Sequence, residues 1–564
     1  MSLTGTLQIG KTALATTQAA IQTVGSNIAG AADPNYTRQV ARIESMPGRN
    51  FQPGIQLGTG VSLVGVERQI DQALMTRLRA GIGDAEGSSA SAQWLGQVEA
   101  VFNELGDDDL SSAMSRFFNA WSELGNRPTD AGLRQVVLRE GQNLAAKLND
   151  MDRQLENLAL GTGERLANLT EAGDGLSRQI AKLNGEIVRA EAGNGPSANT
   201  LRDQRDALLG ELAGLVNLHS IEEESGSVTV YIGSEPLVRG EHSHGLQLER
   251  TVVDGVTRFT PRFADNGTPL NARTGAIGGT GEARQVIDTT RQGLDELAAG
   301  LIYELNRLHS TGQGLVGYDS ITASYGATDT TAALDSAGAG LRFTPTNGSF
   351  VVNVRDKSTG QMTRTLIDVP LDGAGGGMSL DDLAAALDAV DGVTASISAG
   401  RLSLASDSPG QDISFADDTS GVLASLGIGG FFSGEGAGDI AVSSSLDDPR
   451  RLAASRNGQP GDNGTAKLIA ALQDEPSALL GGASLARRYE SLVHEVAAGT
   501  QSAQAEAKAS AAVQEALAAQ RQALSGVSMD EEAVSLMRYQ RSYQGAARLI
   551  AAVDEMMQTV LQLV

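Results

Sequence analysis

Apolar residues recur every seven positions near both ends of this chain, and that recurrence limits what the ends can become. Leu7, Leu14, Ile21 and Ile28 keep the spacing in the first stretch, with Leu3 and Val24 at intermediate positions. Leu536, Tyr543, Ile550, Met557 and Val564 keep it in the last stretch, and Tyr539, Ala546, Val553 and Val560 fill each intermediate position. A 3.5-residue period lines such side chains along one seam of an α-helix, and a seam needs a facing helix. The spacing predicts two coiled-coil helices that pair with each other or with neighbouring subunits. Ser528 and Glu531 have the spacing of a capping box and set the start of the second, from which Val564 lies about 55 Å away along the helix. The first helix is a poor former, because Gly5, Gly10, Gly25 and six Thr fall within residues 1–24. Lys11 is the only charged residue in 1–32. A segment with so little to solvate it is expected to fray alone and to gain from a partner.

Between the ends, Leu133, Val137, Leu144, Leu148, Met151, Leu155 and Leu158 keep three-, four- and seven-residue spacings, as do Leu166, Leu169, Leu176, Ile180, Leu183 and Ile187. Long helices follow, with others expected over 201–215 and 503–524. The period changes near Ile221. V-T-V-Y-I from Val228 to Ile232, bounded by Gly226 and Gly233, predicts a strand. Helical spacing returns at Leu294, Leu297, Leu301, Leu305 and Leu308. The stretch 338–440 is mixed, with strands predicted at 350–354, 365–369, 393–397 and 401–404 and a helix at 380–387 introduced by Ser379.

The expected fold is therefore mainly α with β-rich insertions: terminal coiled-coil helices, a long α-helical rod and outer β or α/β modules. The expected division is 1–32 with 528–564 as the terminal coiled coil, and 33–220 with 276–312 and 441–527 as the helical rod. Residues 221–275 form a β-rich module and 313–440 an outer α/β insertion. At 564 residues there is length for several cores.

Composition excludes some functions. No apolar run approaches the 18 residues of a bilayer span, so no membrane anchor is expected, and the start lacks the charged and apolar regions of a conventional secretory signal. Sixty-eight acidic against 43 basic residues give a net charge of −25, which repels phosphate backbones and anionic lipid. Nucleic acid and membrane are not expected partners. With no cysteine, disulfides and thiolate zinc sites are ruled out.

Gly5, Gly10, Lys11 and Thr12 match the phosphate-loop pattern, but only four residues precede Gly5, too few for the strand such a loop must leave. His494 and Glu495 begin a metalloprotease pattern that fails because Ala498 stands where its second histidine belongs. His242 and His244 form an H-x-H pair with no third ligand evident in the sequence, and no metal or cofactor is assigned. Asp107, Asp108 and Asp109 precede a helical run, where carboxylates favour the positive helix end. No nucleophile–base pair stands out, so no enzyme is expected.

N-I-A-G-A-A-D-P-N-Y-T-R-Q from Asn27 to Gln39 resembles the segment shared by flagellar rod, hook and hook-associated proteins, differing at Gly30 and Asn35 from that family's Asn and Gly. S-L-M-R-Y-Q-R-S-Y-Q-G-A-A-R-L-I from Ser535 to Ile550 is similar to the family's closing helix. Within it, R-F-F-N-A-W-S-E-L (Arg116 to Leu124), D-Q-R-D-A-L-L (Asp203 to Leu209), the strand segment from Gly226 to Gly240 and L-D-E-L-A-A-G-L-I-Y-E-L-N-R-L-H (Leu294 to His309) resemble the hook-associated protein 1 family. The resemblance covers roughly 1–320 and 440–564, with G-D-N at Gly461 to Asn463 also similar, whereas 338–440 resembles only the variable outer modules of flagellin-like proteins. It implies a secreted, extracellular subunit of the bacterial flagellum at the hook–filament junction. The implied partners are its own copies, the hook protein, hook-associated protein 3, a flagellar export chaperone and the type III export apparatus. The heptad stripes Leu7, Leu14, Ile21, Ile28 and Leu536, Tyr543, Ile550, Met557, Val564 would be its assembly interface. Hook-associated protein 3 and a secreted adhesin-like binding protein are the alternatives, and a peptidoglycan-cutting enzyme would need a carboxylate pair the sequence does not place.

Overall fold

The computed structural model describes residues 3–52, 55–102, 109–193, 197–253, 256–373, 376–459 and 461–562, and the three- and four-residue apolar spacings become helices throughout. In chain order these are α1 (Leu3–Gly30), α2 (Gln72–Phe102), α3 (Leu110–Asn126), α4 (Ala131–Glu191), α5 (Asn199–Leu215), α6 (Gly275–His309), α7 (Leu380–Asp388), α8 (Val422–Leu426), α9 (Gly464–Ala471), α10 (Leu485–Ser525) and α11 (Met529–Gln562). Asp109 accepts from the Ser112 N–H and caps α3, while Asp107 and Asp108 lie outside the described residues. Among the described residues no helix is long and apolar enough to cross a membrane.

The chain forms two units. The first gathers Met1–Trp94, Leu160–Arg284 and Gln501–Val564. Within a stretch expected to be helical, four strands form instead: β1 (Gln39–Ser45) pairs antiparallel with β4 (Val61–Arg68) around a bulge at Arg42/Ile43, and β2 (Arg49–Gln52) pairs with β3 (Ile55–Leu57). The predicted V-T-V-Y-I strand belongs to a four-stranded meander, β5 (Leu218–Glu222), β6 (Val228–Ile232), β7 (Glu235–Arg239) and β8 (His242–Ser243), followed by the pair β9 (Leu246–Val253) and β10 (Val256–Phe263). Gly226 and Gly233 both have positive φ, at 82° and 62°, as the turns bounding β6 require. Leu166, Ile180, Leu212, Val230 and Phe263 fill the core between sheet and helices.

D-Q-R-D is the polar hub of this unit. Arg205, 1% exposed, donates to Asn184 Oδ1 at 3.0 Å and Gly226 O at 2.7 Å, and Asn184 in turn bonds the backbone of Val228 and Gly240. Burial pushes Arg205 down to about 10, still protonated at neutral pH. Its neighbours face the other way, with Asp203 and Asp206 holding Arg68 of β4 at 2.9 and 2.7 Å and Asp206 holding Arg79 of α2 at 2.8 Å. Buried charges persist only when paired in this manner.

The second unit gathers Leu95–Ala159 and Gln285–Thr500. Leu294, Leu297, Leu301 and Leu305 of α6 line its helical core, and Phe117 and Trp121 of α3 pack on Phe431 with ring centroids 5.4 and 5.7 Å apart. The polar residues of the α6 motif clamp one loop. Asn306 Oδ1 accepts from Phe431 N and Phe432 N while its Nδ2 donates to Phe432 O. Buried His309 meets Gly429 O through Nδ1 and accepts from Ala453 N at Nε2, 3.0 Å away. In G-D-N, burial raises the Asp462 carboxyl, but the hydrogen bonds it accepts from Ser455 Oγ and the amides of Arg456, Asn457 and Gly464 together outweigh that and hold it down to about 2, and Asn463 donates to Gly125 O.

A separate core closes within this unit, running from Tyr318 to Ile428. It comprises β11 (Ser320–Thr322), β12 (Gly348–Asp356), β13 (Met362–Val369), α7, β14 (Val393–Ser398), β15 (Arg401–Ser406), β16 (Gln411–Ala416) and α8, in the sheets β13-β12-β16 and β11-β15-β14. Ser379 and Asp382 form a complete capping box on α7.

Candidate assembly interface

Helices α1 and α11 pack against each other along their length. Their contact row is built from small residues. Gly10, Thr17, Ala20, Val24 and Asn27 are buried on α1, and Glu532, Ala546 and Val553 on α11. A Cβ at Gly10 would stand 2.7 Å from Ile550 Cγ1, so glycine there lets the two helices close. The buried threonines cost little, because Thr16, Thr17 and Thr23 donate to Thr12 O, Ala13 O and Ala19 O one turn back. The adjoining flank of α1 carries the β1–β4 hairpin, whose Gly60 approaches Thr12. The segment that propensity alone makes weak is thus held on two sides.

A polar joint fixes the base of the pair. Glu532, 1% exposed, accepts from Arg38 Nε at 2.8 Å and from Asn27 Nδ2 at 3.0 Å. Asn27 also donates to Gln39 O and accepts from Gln39 N and the Tyr36 hydroxyl, so all its hydrogen-bonding capacity toward the protein is used. The Tyr36 ring lies against Gly30, where a Cβ would come within 2.5 Å of it. Burial, then Asp203 and Glu532, push the Tyr36 hydroxyl up to about 12. Arg38 N donates to Ser525 O, and Arg521 of α10 reaches the carbonyls of Pro34 and Asn35. Ser528 sits at the start of α11, with Glu531 N 3.5 Å from its Oγ. N-I-A-G…Y-T-R is therefore a set of fastenings between the end of α1, the hairpin and the start of α11.

Leu7, Leu14, Ile21 and Ile28 are half-buried and lie roughly 80° around α1 from the buried row. Leu536, Tyr543, Ile550 and Met557 are half-buried on α11, and Val564 lies outside the described residues. Large apolar side chains thus rim a seam whose centre is small and polar. Large size marks the rim in the sequence, whereas Gly10, Thr17, Ala20 and Asn27 carry no hydrophobic signal and escape such a search. Beyond the rim, α11 leaves Leu549 (37%), Met556 (48%), Val560 (50%) and Leu561 (77%) exposed. The phosphate-loop match has no loop to occupy, since Gly5 to Thr12 are helical.

Residues 95–321 match the sequence model of the flagellar hook-associated protein FlgK helical domain, and residues 519–563 match that of the flagellar basal body rod FlgEFG protein C-terminal segment. The flagellar hook-associated protein 1 of Bacillus subtilis (strain 168) is 26% identical over 570 residues, covering 98% of this chain and 97% of that protein. Its counterpart of the same name in Escherichia coli (strain K12) is 26% identical over 574 residues, covering 97% of each. A solved structure titled as the flagellar hook junction protein FlgK from Burkholderia pseudomallei is similar at a TM-score of 0.49 and 14% identity, over 80% of this chain and 100% of that chain.

Proposed function

The chain belongs to the family of flagellar hook-associated proteins, and from that membership we propose that it is laid down between hook and filament through the apolar rim of its paired end helices. It is a structural subunit of the bacterial flagellum at the hook–filament junction, and it assembles with other axial components. The interface we assign consists of Leu7, Leu14, Ile21 and Ile28 with Leu536, Tyr543, Ile550 and Met557, extended by Leu549, Met556 and Val560. The observation carrying this reading is the row of exposed apolar residues on α11 beside a pair already closed by small residues. Burying each Leu or Ile is worth about 1.5–3 kcal/mol, so neighbouring copies that cover the rim gain several such terms. The neighbours are further copies, the hook protein on one side and hook-associated protein 3 on the other. Delivery runs through an export chaperone and the type III apparatus to an extracellular site, with no catalytic step. Within 313–440, the module whose own core runs from Tyr318 to Ile428 is the solvent-facing insertion.

Two substitutions separate assembly from folding. Leu549→Asp charges the exposed face without touching the internal seam, whereas Ile550→Asp also strikes the contact over Gly10. In cells carrying Leu549→Asp, hooks should persist while filaments are lost, and the purified variant should melt as wild type does. Normal filament numbers on those hooks would refute the assigned interface. Ile550→Asp should lose filaments and also lower the protection of α1 in hydrogen exchange.

A further inference from the structure

Outside the end-helix pair, one cluster of side chains is arranged as a ligand set. His242 and His244 lie two residues apart at β8, so both rings project from the same face of the sheet. Ser243 between them turns the opposite way and meets Ser177 of α4, Oγ to Oγ 2.7 Å. The third member, Asp265, comes from the turn after β10. One of its oxygens, Oδ2, stands 3.1 Å from His242 Nε2 and 3.0 Å from His244 Nδ1. The three ligand atoms all lie within 4.8 Å of one another.

The backbone holds this arrangement. His244 N donates to Leu237 O, Ala264 N to Gly245 O and Asp265 N to His244 O, so the strand end and the turn are laced together. The turn is closed by Phe263 N to Thr268 O and Gly267 N to Phe263 O, with the Phe263 ring anchored in the core. Three donors are thus brought together by main-chain geometry, and only ring rotations remain free.

We propose that His242, His244 and Asp265 bind a divalent transition metal ion of the zinc class on the face of this module. Two imidazoles are borderline ligands that suit Zn2+, Ni2+ and Cu2+, and the one carboxylate, which those ions also accept, is too few oxygens to favour Mg2+ or Ca2+. Metal–ligand distances of about 2.0–2.2 Å put neighbouring donors of a tetrahedral site roughly 3.3–3.6 Å apart. Asp265 Oδ2 already stands at nearly that separation from both ring nitrogens, so an ion needs to part it from them only slightly. Each ring then carries its N–H on its other nitrogen. Water fills the remaining coordination, since the rings and the carboxylate are solvent-accessible.

The test is calorimetric titration of ZnCl2 into the full, EDTA-stripped chain, beside His242→Ala, His244→Ala and Asp265→Asn. Asp265→Asn keeps the side-chain shape and removes the charged donor. The wild type should take up one zinc, and each variant should bind at least about 10-fold more weakly. His494→Ala, on α10, should bind as wild type does. Electron paramagnetic resonance with Cu2+ as probe should show two nitrogen ligands, falling to one in either histidine variant. Melting curves without metal should coincide, because the positions are solvent-accessible. Zinc uptake equal in wild type and variants, or none in any, would overturn the assignment and leave a hydrogen-bonded cluster only.

Discussion

His309 shows how one residue type can be used for shape alone. It is fully buried, donates to one loop carbonyl and accepts from one amide, and so must be neutral to serve both. Burial pushes it from 6.5 down to about 4, the Gly429 carbonyl opposes that shift, and the charge of Arg134 adds to it. A histidine whose folded value lies below its unfolded value favours the folded state above the unfolded value, and loses that contribution as pH falls toward the folded one. Stability of the second unit should therefore decline between about pH 6.5 and 4, by on the order of 3 kcal/mol from this group. Melting curves at pH 7 and 4.5 should separate more in wild type than in His309→Gln; equal separations would discard this account. At the same scale, Asn27, Gly30, Tyr36 and Arg38 could be picked out as a string, but their purpose could not. Their chief partner, Glu532, lies 505 residues from Asn27, and nothing local in S-M-D-E-E marks that carboxylate as buried.

Elements were legible where one face is buried and the other wet. The helices of the second unit show their periodicity because their leucines meet a single core. Strands β12 to β15 and helix α7 announce themselves through alternation and a capping box. β1 and β4 do not, because their side chains are half-buried or exposed and a bulge breaks the register at Arg42/Ile43, so alternation never becomes apolar against polar. The edge of the inserted module is a second lesson. Its own core ends at Ile428, whereas Phe431, Phe432 and Ile440 pack with the helices. Replacing 318–427 by a short Gly/Ser linker takes only Tyr325 and Phe343 from the helical core, so the remainder should keep its helical circular dichroism and melt at a lower temperature than wild type. Removing 338–440 takes three buried phenylalanines, Phe343, Phe431 and Phe432, from the helical core, at about 3–5 kcal/mol each for full truncation, and should unfold it. Equal stability of the two deletions would show that Phe431 and Phe432 do not serve that core.

At the scale of the molecule, the division into two units was not readable, because it falls inside α2, α4, α6 and α10, at Trp94/Leu95, Ala159/Leu160, Arg284/Gln285 and Thr500/Gln501. Helical periodicity continues through each of those points, and the glycines beside them, Gly96, Gly161, Gly163, Gly281 and Gly499, lie within continuous helices and so do not read as boundaries. What the pattern did disclose is that the two end stretches need facing helices, and in the structure they find each other. Deleting 527–564 should therefore leave the second unit's melting unchanged while α1 becomes the first site of proteolytic cleavage and hooks stay bare; an equally protected α1 would show that α11 is dispensable to it. The fastening of Glu532 to Asn27 and Arg38 has a consequence for fidelity. On the interface proposed above, a copy truncated before Glu532 lacks one half of the clasp and would offer no finished docking edge, so the growing structure would reject incomplete subunits without any separate inspector.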